Sequence, residues 1–205
     1  MTTDPPVVFA AAAHSFVDLA GRLPASGWDG PGLGEWDLRS LVGHTSRSLV
    51  TVSAYLQTTA AREEVTSAAE YYVKVAPAAL GIDPAAVAER GRQAGRDLGE
   101  DPAATLASLA AKALADVDAA GDPLIEVIGG LGIRLGNYLP TRTFELVVHG
   151  LDIARAAQID YTPPADVLTE AVRLAADVAV ISGHGPQVLL ALTGRTALPP
   201  DFSIV

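Results

Sequence analysis

The sequence predicts an all-α protein, built as a four-helix bundle with short additional helices and an irregular C-terminal tail. Alanine is abundant, aromatic residues make up only 5% of the 205 residues, and long stretches lack proline. This composition favours helix over strand. Several segments also repeat apolar residues at helical spacing, and an antiparallel bundle buries several such faces at once. The length fits one domain over residues 1–205, with 183–205 as a short C-terminal extension.

The first two predicted helices have the clearest signals. The first covers residues 7–23 and places apolar residues on one face: Phe9, Ala13, Phe16, Val17 and Ala20. Residues 24–35 hold four glycines and two prolines, which predicts a loop. Asp37 can then cap the second helix, and Trp36 can pack on Leu41 as a hydrophobic staple.

Later segments alternate helices with breaks. Residues 84–98 and 102–120 predict two further helices. A proline, a short apolar run and four glycines within 122–138 predict an extended turn or irregular link. The next helix is expected to begin near Thr141, and another to cover residues 165–181. A short last helix and the irregular tail finish the chain.

Composition excludes several classes of partner. The net charge is −10 and no basic patch is present, so we expect no nucleic-acid partner. The chain has no cysteine, so any thiol chemistry needs a thiol from outside. The N-terminal segment lacks the positive region of a signal peptide, and no apolar run is long enough to span a bilayer. We therefore expect a cytoplasmic protein without a membrane partner; such an acidic, apolar bundle could form a homodimer.

One short segment, TRTFELVVHGLDIARAAQ, carries the main functional signal. At about 100° per residue, four polar side chains of this helix fall within a sector of roughly 80°: Arg142, Glu145, His149 and Asp152. Apolar residues occupy most of the remaining circumference, which is typical of a buried helix. Buried acid, imidazole and guanidinium groups are costly unless they are paired or bound to metal. The polar stripe therefore needs a partner.

Glu145 and His149 are spaced so that both can reach one cation. Side chains four residues apart have Cβ atoms about 5–6 Å from each other on one helical face, and ligand bonds to zinc are about 2.0–2.2 Å. A useful site needs a third ligand, and His44, early in the second helix beside the core face, is the best candidate. Two histidines and one carboxylate with an open position form the ligand set of many catalytic metal sites. The alternative is an ordinary hydrogen bond between Glu145 and His149.

Arg142 and Asp152 are the candidate catalytic residues, and each allows two interpretations. Arg142 can contact an anionic substrate, or it can form a salt bridge to Glu145 or Asp152. Asp152 can orient a ligating imidazole by accepting its hydrogen bond, or it can pair with Arg155.

The remaining basic residues carry weaker signals. His14 is expected on the surface of the first helix, and His184 in an exposed loop. Three arginines of the predicted helix 84–98 can form either an anion-contacting edge or a solvated face: Arg90, Arg92 and Arg96.

Two segments of the chain resemble a known family. EWDLRSLVGHTSRSLVTVSAYL and, about a hundred residues later, YLPTRTFELVVHGLDIARA resemble the mycothiol-dependent maleylpyruvate isomerase family. This family belongs to the DinB-like superfamily of metal-binding four-helix bundles, and the tail LLALTGRTALPPDFSIV also fits it. By this resemblance His44, Glu145 and His149 match the family's metal triad residue by residue. The resemblance implies a divalent metal, zinc with nickel as an alternative, and mycothiol, a thiol of actinobacteria, as cosubstrate.

The resemblance also implies an enzyme acting on a small molecule. A metal with an open position can hold the cosubstrate's sulfur as a thiolate, below its free pKa of about 8.5. The thiolate can add to an electrophilic carbon, which gives isomerisation if it is later expelled and transfer if it stays. Maleylpyruvate isomerase itself has a sizeable C-terminal domain that helps to form its site, whereas about 20 residues follow His184 here. The reaction therefore stays open, with two alternatives: a non-catalytic metal-dependent protein that binds a thiol or another small molecule, and a bundle with a purely structural metal.

Overall fold

The computed structural model describes residues 4–75, 81 and 83–205, and it is mostly helical. Within these residues, eight α-helices and two strands follow in this order: α1 (Pro5–Gly21), α2 (Leu38–Tyr55), α3 (Ala68–Val75), α4 (Pro84–Asp97), α5 (Pro102–Ala120), β1 (Leu124–Val127), β2 (Leu131–Arg134), α6 (Leu135–Ala157), α7 (Ala165–Ile181) and α8 (Gly185–Leu192). The predicted all-α bundle is confirmed. The predicted domain extent of 1–205 includes residues outside this description and stays a prediction. None of the described helices is long and apolar enough to cross a bilayer.

Four helices enclose the core of the bundle. α1 and α2 each pack against both α5 and α6, while α4 lies along α2 and α7 packs on α6. The apolar spacing predicted for the first two helices places Phe9 and Phe16 of α1, and Leu41 and Leu49 of α2, in the fully buried interior. Burying each such side chain contributes about 1.5–3 kcal/mol. The hydrophobic faces read from the sequence therefore determine how α1 and α2 meet α6.

The N-terminal half of α2 is fixed by a cap and by a close approach to α4. The backbone N–H of Ser40 donates to Asp37 Oδ1 at 2.7 Å, which confirms the predicted cap. A Cβ added to Gly43 would lie 2.1 Å from the backbone nitrogen of Gly95 in α4. The two helices thus touch backbone to backbone, which only glycine allows. This contact fixes α2 at the residue next to His44.

The segment before α6 differs from the prediction in two respects. The extended turn or irregular link predicted over 122–138 is instead the antiparallel pair β1–β2. The helix predicted to begin near Thr141 begins at Leu135. Ile125 and Ile133 pair across the two strands and are fully buried. The short apolar run is therefore a strand with one face in the core.

Non-local contacts explain the early start of α6. The backbone N–H of Gly136, in the first turn of the helix, donates to Asp122 Oδ1 at 2.7 Å. A residue before the hairpin therefore accepts a hydrogen bond from an N–H group that has no partner within the helix. Gly129 and Gly130 have φ angles of +79° and +71° and make the tight return between the strands. Pro140 lies inside α6. Because proline favours the start of a helix, the local pattern predicts a start close to it and misses the turns before it.

Candidate metal centre

α2 and α6 bring the three predicted metal ligands together. His44, Glu145 and His149 each offer one ligand atom, and these atoms lie within 4.8 Å of one another. The rings of His44 and His149 meet edge to face with centres 5.1 Å apart. Glu145 Oε2 is 3.3 Å from His149 Nε2. Three atoms bound to one ion at about 2.0–2.2 Å would lie about 3.5 Å apart, so small side-chain movements suffice to bind it.

The hydrogen bonding and the protonation of His44 are those expected of a metal ligand. Its Nδ1 is buried and forms no hydrogen bond with any described residue. An unpaired buried nitrogen is costly, and a bound group would relieve this cost. Burial, and then the neighbouring His149, lower the pKa of His44 to about 4. The imidazole is therefore neutral at pH 7, as a metal ligand must be.

Trp36 holds the His44 ring from the outer side. The two ring centres are 4.5 Å apart and the planes are tilted by 33°. The indole Nε1 donates to the carbonyl of Ala88 at 2.9 Å, and a Cβ at Gly91 would lie 2.6 Å from the indole. α4 therefore fixes the tryptophan, and the tryptophan fixes the imidazole. The sequence predicts Trp36 only as a hydrophobic staple on Leu41, and no local pattern relates it to the metal centre.

Glu145 and His149 form a charged pair when no metal is bound. Burial alone would raise the pKa of Glu145, but the hydrogen bond from His149 and the charge of Arg142 outweigh it and lower the pKa to about 2. Burial alone would lower the pKa of His149, but hydrogen bonds to Asp152 and Glu145 raise it to about 9. At pH 7 the imidazole thus carries a proton. A bound metal would replace that proton.

Asp152 lies where it can orient the ligating imidazole. Its Oδ2 is 3.3 Å from His149 Nδ1, while His149 Nε2 faces Glu145. A carboxylate on the far nitrogen is the usual partner of a metal-bound histidine, because it fixes the tautomer and the ring orientation. Arg155 is exposed. This geometry favours the orienting interpretation of Asp152 over pairing with Arg155.

Arg142 is held by aromatic rings. Its guanidinium lies 4.9 Å from the ring centre of Tyr138 and 5.5 Å from that of Tyr71. Its Nε donates to Thr141 Oγ1 at 3.0 Å. Among the described carboxylates, none forms an ion pair with it. The salt bridge that the sequence analysis considered is absent within this part of the chain, and the guanidinium is available to a ligand.

A cavity of about 600 Å³ lies beside the metal centre, and two of the three ligands, His44 and Glu145, line it. Four of the five tyrosines of the chain line it: Tyr55, Tyr71, Tyr72 and Tyr138. Arg47, Arg142 and the tail residues Ile204 and Val205 also contribute to the wall. Neither these tyrosines nor Arg47 are among the site residues predicted from the sequence. Arg47 follows His44 by three residues, so helical spacing could have placed it on the same face.

The other basic candidates lie outside the cavity wall. His14 and His184 are exposed, as expected, and the His184 ring packs on Phe202. Arg92 and Arg96 pair with Glu89 on the surface of α4, and Arg90 is exposed. These three arginines form a solvated face.

Comparison with known proteins gives one family match. The model of the mycothiol maleylpyruvate isomerase N-terminal domain matches residues 9–154, more than two thirds of the chain. The match contains His44, Glu145, His149 and the neighbouring polar residues of α6. The last residues of α6, both following helices and the tail lie outside it. No curated protein and no solved structure matches the chain significantly.

Proposed function

Since the chain belongs to the mycothiol maleylpyruvate isomerase N-terminal domain family, we propose that it is a divalent-metal-dependent enzyme that activates a low-molecular-weight thiol. The thiol is mycothiol or a similar molecule, and the reaction is its transfer to, or the isomerisation of, a small electrophile. One observation carries the proposal: His44, Glu145 and His149 converge beside a cavity of small-molecule size.

The donor set suits zinc, with nickel as the alternative. Two imidazoles and one carboxylate bind divalent first-row metals and leave a position open. When bound, the ion supplies a Lewis acid that stabilises a thiolate at neutral pH. The protein contributes a neutral His44, a carboxylate at Glu145 and an imidazole oriented by Asp152.

The cavity supports a reaction between two small molecules. The chain has no cysteine, so the sulfur must come from the cosubstrate. The thiol gives its proton to water, and its sulfur forms a bond to the electrophilic carbon while a π bond of that carbon breaks and its electron pair moves to the neighbouring atoms. Isomerisation later re-forms the π bond and expels the thiolate, whereas in transfer the C–S bond stays and the displaced electron pair takes up a proton. Arg142 would contact an acidic group of the electrophile. Tyr71 and Tyr138 hold the guanidinium in place through their ring faces.

Metal analysis of the purified, tag-free protein tests the proposal first. About one equivalent of zinc or nickel is expected in the wild type and in His14→Ala, which removes an exposed histidine. His149→Ala should lose the metal, and His44→Ala should lose both metal and thiol-dependent turnover. Wild-type protein that cannot be loaded, or His44→Ala that keeps metal and turnover, contradicts the proposal.

The role of Arg142 is tested with Arg142→Met. A hydrogen bond to a charged group is worth about 1.5–3 kcal/mol, so KM for electrophiles with a carboxylate should rise about 10–100-fold. Neutral ester analogues serve as the control, since their KM should change little. Equal losses for acids and esters would show that the residue supports the cavity and does not bind an anion.

Two other outcomes would assign a different role to the site. Tight thiol binding with no product over hours would indicate a non-catalytic metal-dependent binding protein. Metal that raises the melting temperature while no ligand binds would indicate a structural ion. The cavity beside the ligands favours the enzyme over a structural ion, because structural zinc sites are closed.

A further inference from the structure

The hydroxyl of Tyr72, on α3, contacts the carboxylate of Glu145. It lies 2.8 Å from Glu145 Oε1 and 3.1 Å from the carbonyl oxygen of Thr141. A phenol holds its proton at neutral pH, so the hydroxyl can donate a hydrogen bond to Oε1.

Packing and a polar cluster keep this hydroxyl in place. The Tyr72 ring meets the Phe144 ring edge to face at 5.4 Å, and α3 packs against α6 and α7. The start of α3 is fixed by Glu70, which accepts from the backbone N–H of Thr66 at 2.8 Å and pairs with Lys74 at 2.8 Å. The contact with Glu145 is therefore part of a fixed arrangement.

The two oxygens of Glu145 have different partners. Oε1 accepts from Tyr72, whereas Oε2 faces His149 Nε2 at 3.3 Å. A carboxylate can bind an ion through one oxygen or through both. When one oxygen is held by a donor, the other remains for the ion.

We infer that Tyr72 is a positioning residue for the metal centre: its hydroxyl occupies Oε1 of Glu145, so that the carboxylate gives one oxygen to the ion and a position stays free for the thiol. This inference rests on the proposed function, because it requires an ion at the triad. Without the hydroxyl, the second oxygen competes for the position that the thiol needs.

Tyr72→Phe in cobalt-loaded protein tests the inference without any turnover assay. The variant keeps the ring and its packing on Phe144. The cobalt bound to this variant should gain Oε1 of Glu145 as an additional ligand, and the higher coordination number weakens its visible absorption. The affinity for 2-mercaptoethanol, followed by the thiolate-to-cobalt charge-transfer band, should fall about 10–100-fold, as is usual when a group that hydrogen-bonds to a metal ligand is removed. Tyr55→Phe is the matched control, since the Tyr55 ring lines the same cavity, and this variant should behave as the wild type.

The outcomes separate this inference from the proposed function. Wild-type protein that takes up no cobalt overturns both. Wild type that binds cobalt, with Tyr72→Phe showing the same spectrum and the same thiol affinity within twofold, overturns the role of Tyr72 alone. If Tyr72→Phe does not fold, infrared difference spectra of metal-loaded and metal-free wild type decide. A carboxylate bound through one oxygen supports the role, and one bound through both oxygens overturns it.

Discussion

Zinc binding to the metal-free protein should release about one proton per ion at pH 5.5. The two imidazoles differ in their metal-free state, because the pKa of His149 is about 9 and that of His44 about 4. Both must be neutral to bind a metal. Glu145, with a pKa of about 2, is already a carboxylate. Almost all of the released proton therefore comes from His149.

The proton count distinguishes this site from one with two ordinary histidines. At pH 5.5, a pKa of about 9 gives about 1.0 bound proton on His149, and a pKa of about 4 gives about 0.03 on His44. Two imidazoles with the ordinary pKa of about 6.5 would hold about 1.8 protons together. A zinc-bound water with a pKa near 7 would release only about 0.03 of a further proton at this pH. The expected count is thus about 1.0 against about 1.8.

Isothermal titration calorimetry measures the count directly. Zinc is titrated into metal-free protein at pH 5.5 in buffers that differ in ionisation enthalpy, and the slope of the observed enthalpy gives the protons released. His14→Ala should give the same slope. A count near two would show that His44 is protonated despite its burial. A count near zero would show that His149 does not hold the proton that its pair with Glu145 requires.

Three further predictions concern the pair and the helix contact. Asp152→Asn should weaken zinc binding about 10–100-fold in a chelator competition, because it removes the charged acceptor at His149; unchanged affinity would contradict the orienting role. In metal-free protein, the raised pKa of His149 contributes up to about 3 kcal/mol to the free energy of unfolding. This contribution is fully present below about pH 6.5 and is lost as the pH rises through about 9. The side chain is only 16% exposed, so solvent screening reduces the contribution little. Urea unfolding of the wild type and of His149→Gln at pH 6 and at pH 9.5 measures this contribution. A difference in unfolding free energy between wild type and variant that is the same at both pH values would refute the prediction. Gly43→Ala should lower stability by about 3 kcal/mol or more, since its Cβ would meet the backbone of Gly95, whereas Gly21→Ala, with open space around it, should leave the melting temperature unchanged or slightly higher.

The features that the sequence could predict depend on short-range spacing. Helical periodicity places Phe9 and Leu41 in the core and puts Glu145 and His149 on one face, because these relations lie within one helix. The cap at Asp37 is similarly local. Spacing within one helix could not supply the third ligand. The position of His44 beside the core face of the second helix made it the best candidate, the resemblance matched it to the family's triad, and the structure brings it to the other two ligands.

The features that the sequence analysis missed depend on distant contacts. Asp122 caps α6 from 14 residues away, across a hairpin. Tyr72 reaches Glu145 over 73 residues, and the tail residue Ile204 reaches the cavity from the end of the described chain. No periodic pattern encodes such pairs, because they arise only when the helices have packed. The wall of the cavity was therefore less predictable than the ligands.

The ligands and part of the cavity wall come from different segments of the chain, which affects how substrate specificity can change. Glu145, His149 and Asp152 lie on one helix, so their mutual spacing follows from the helical repeat. Ile128 and the C-terminal residues Ile204 and Val205 also line the cavity, and they belong to segments outside the four core helices. Insertions or replacements in those segments would change which molecules fit while the ligand spacing is retained. Under the proposed function, substrate selectivity and metal chemistry can thus be inherited independently, and new substrate specificities can arise while the metal centre is retained.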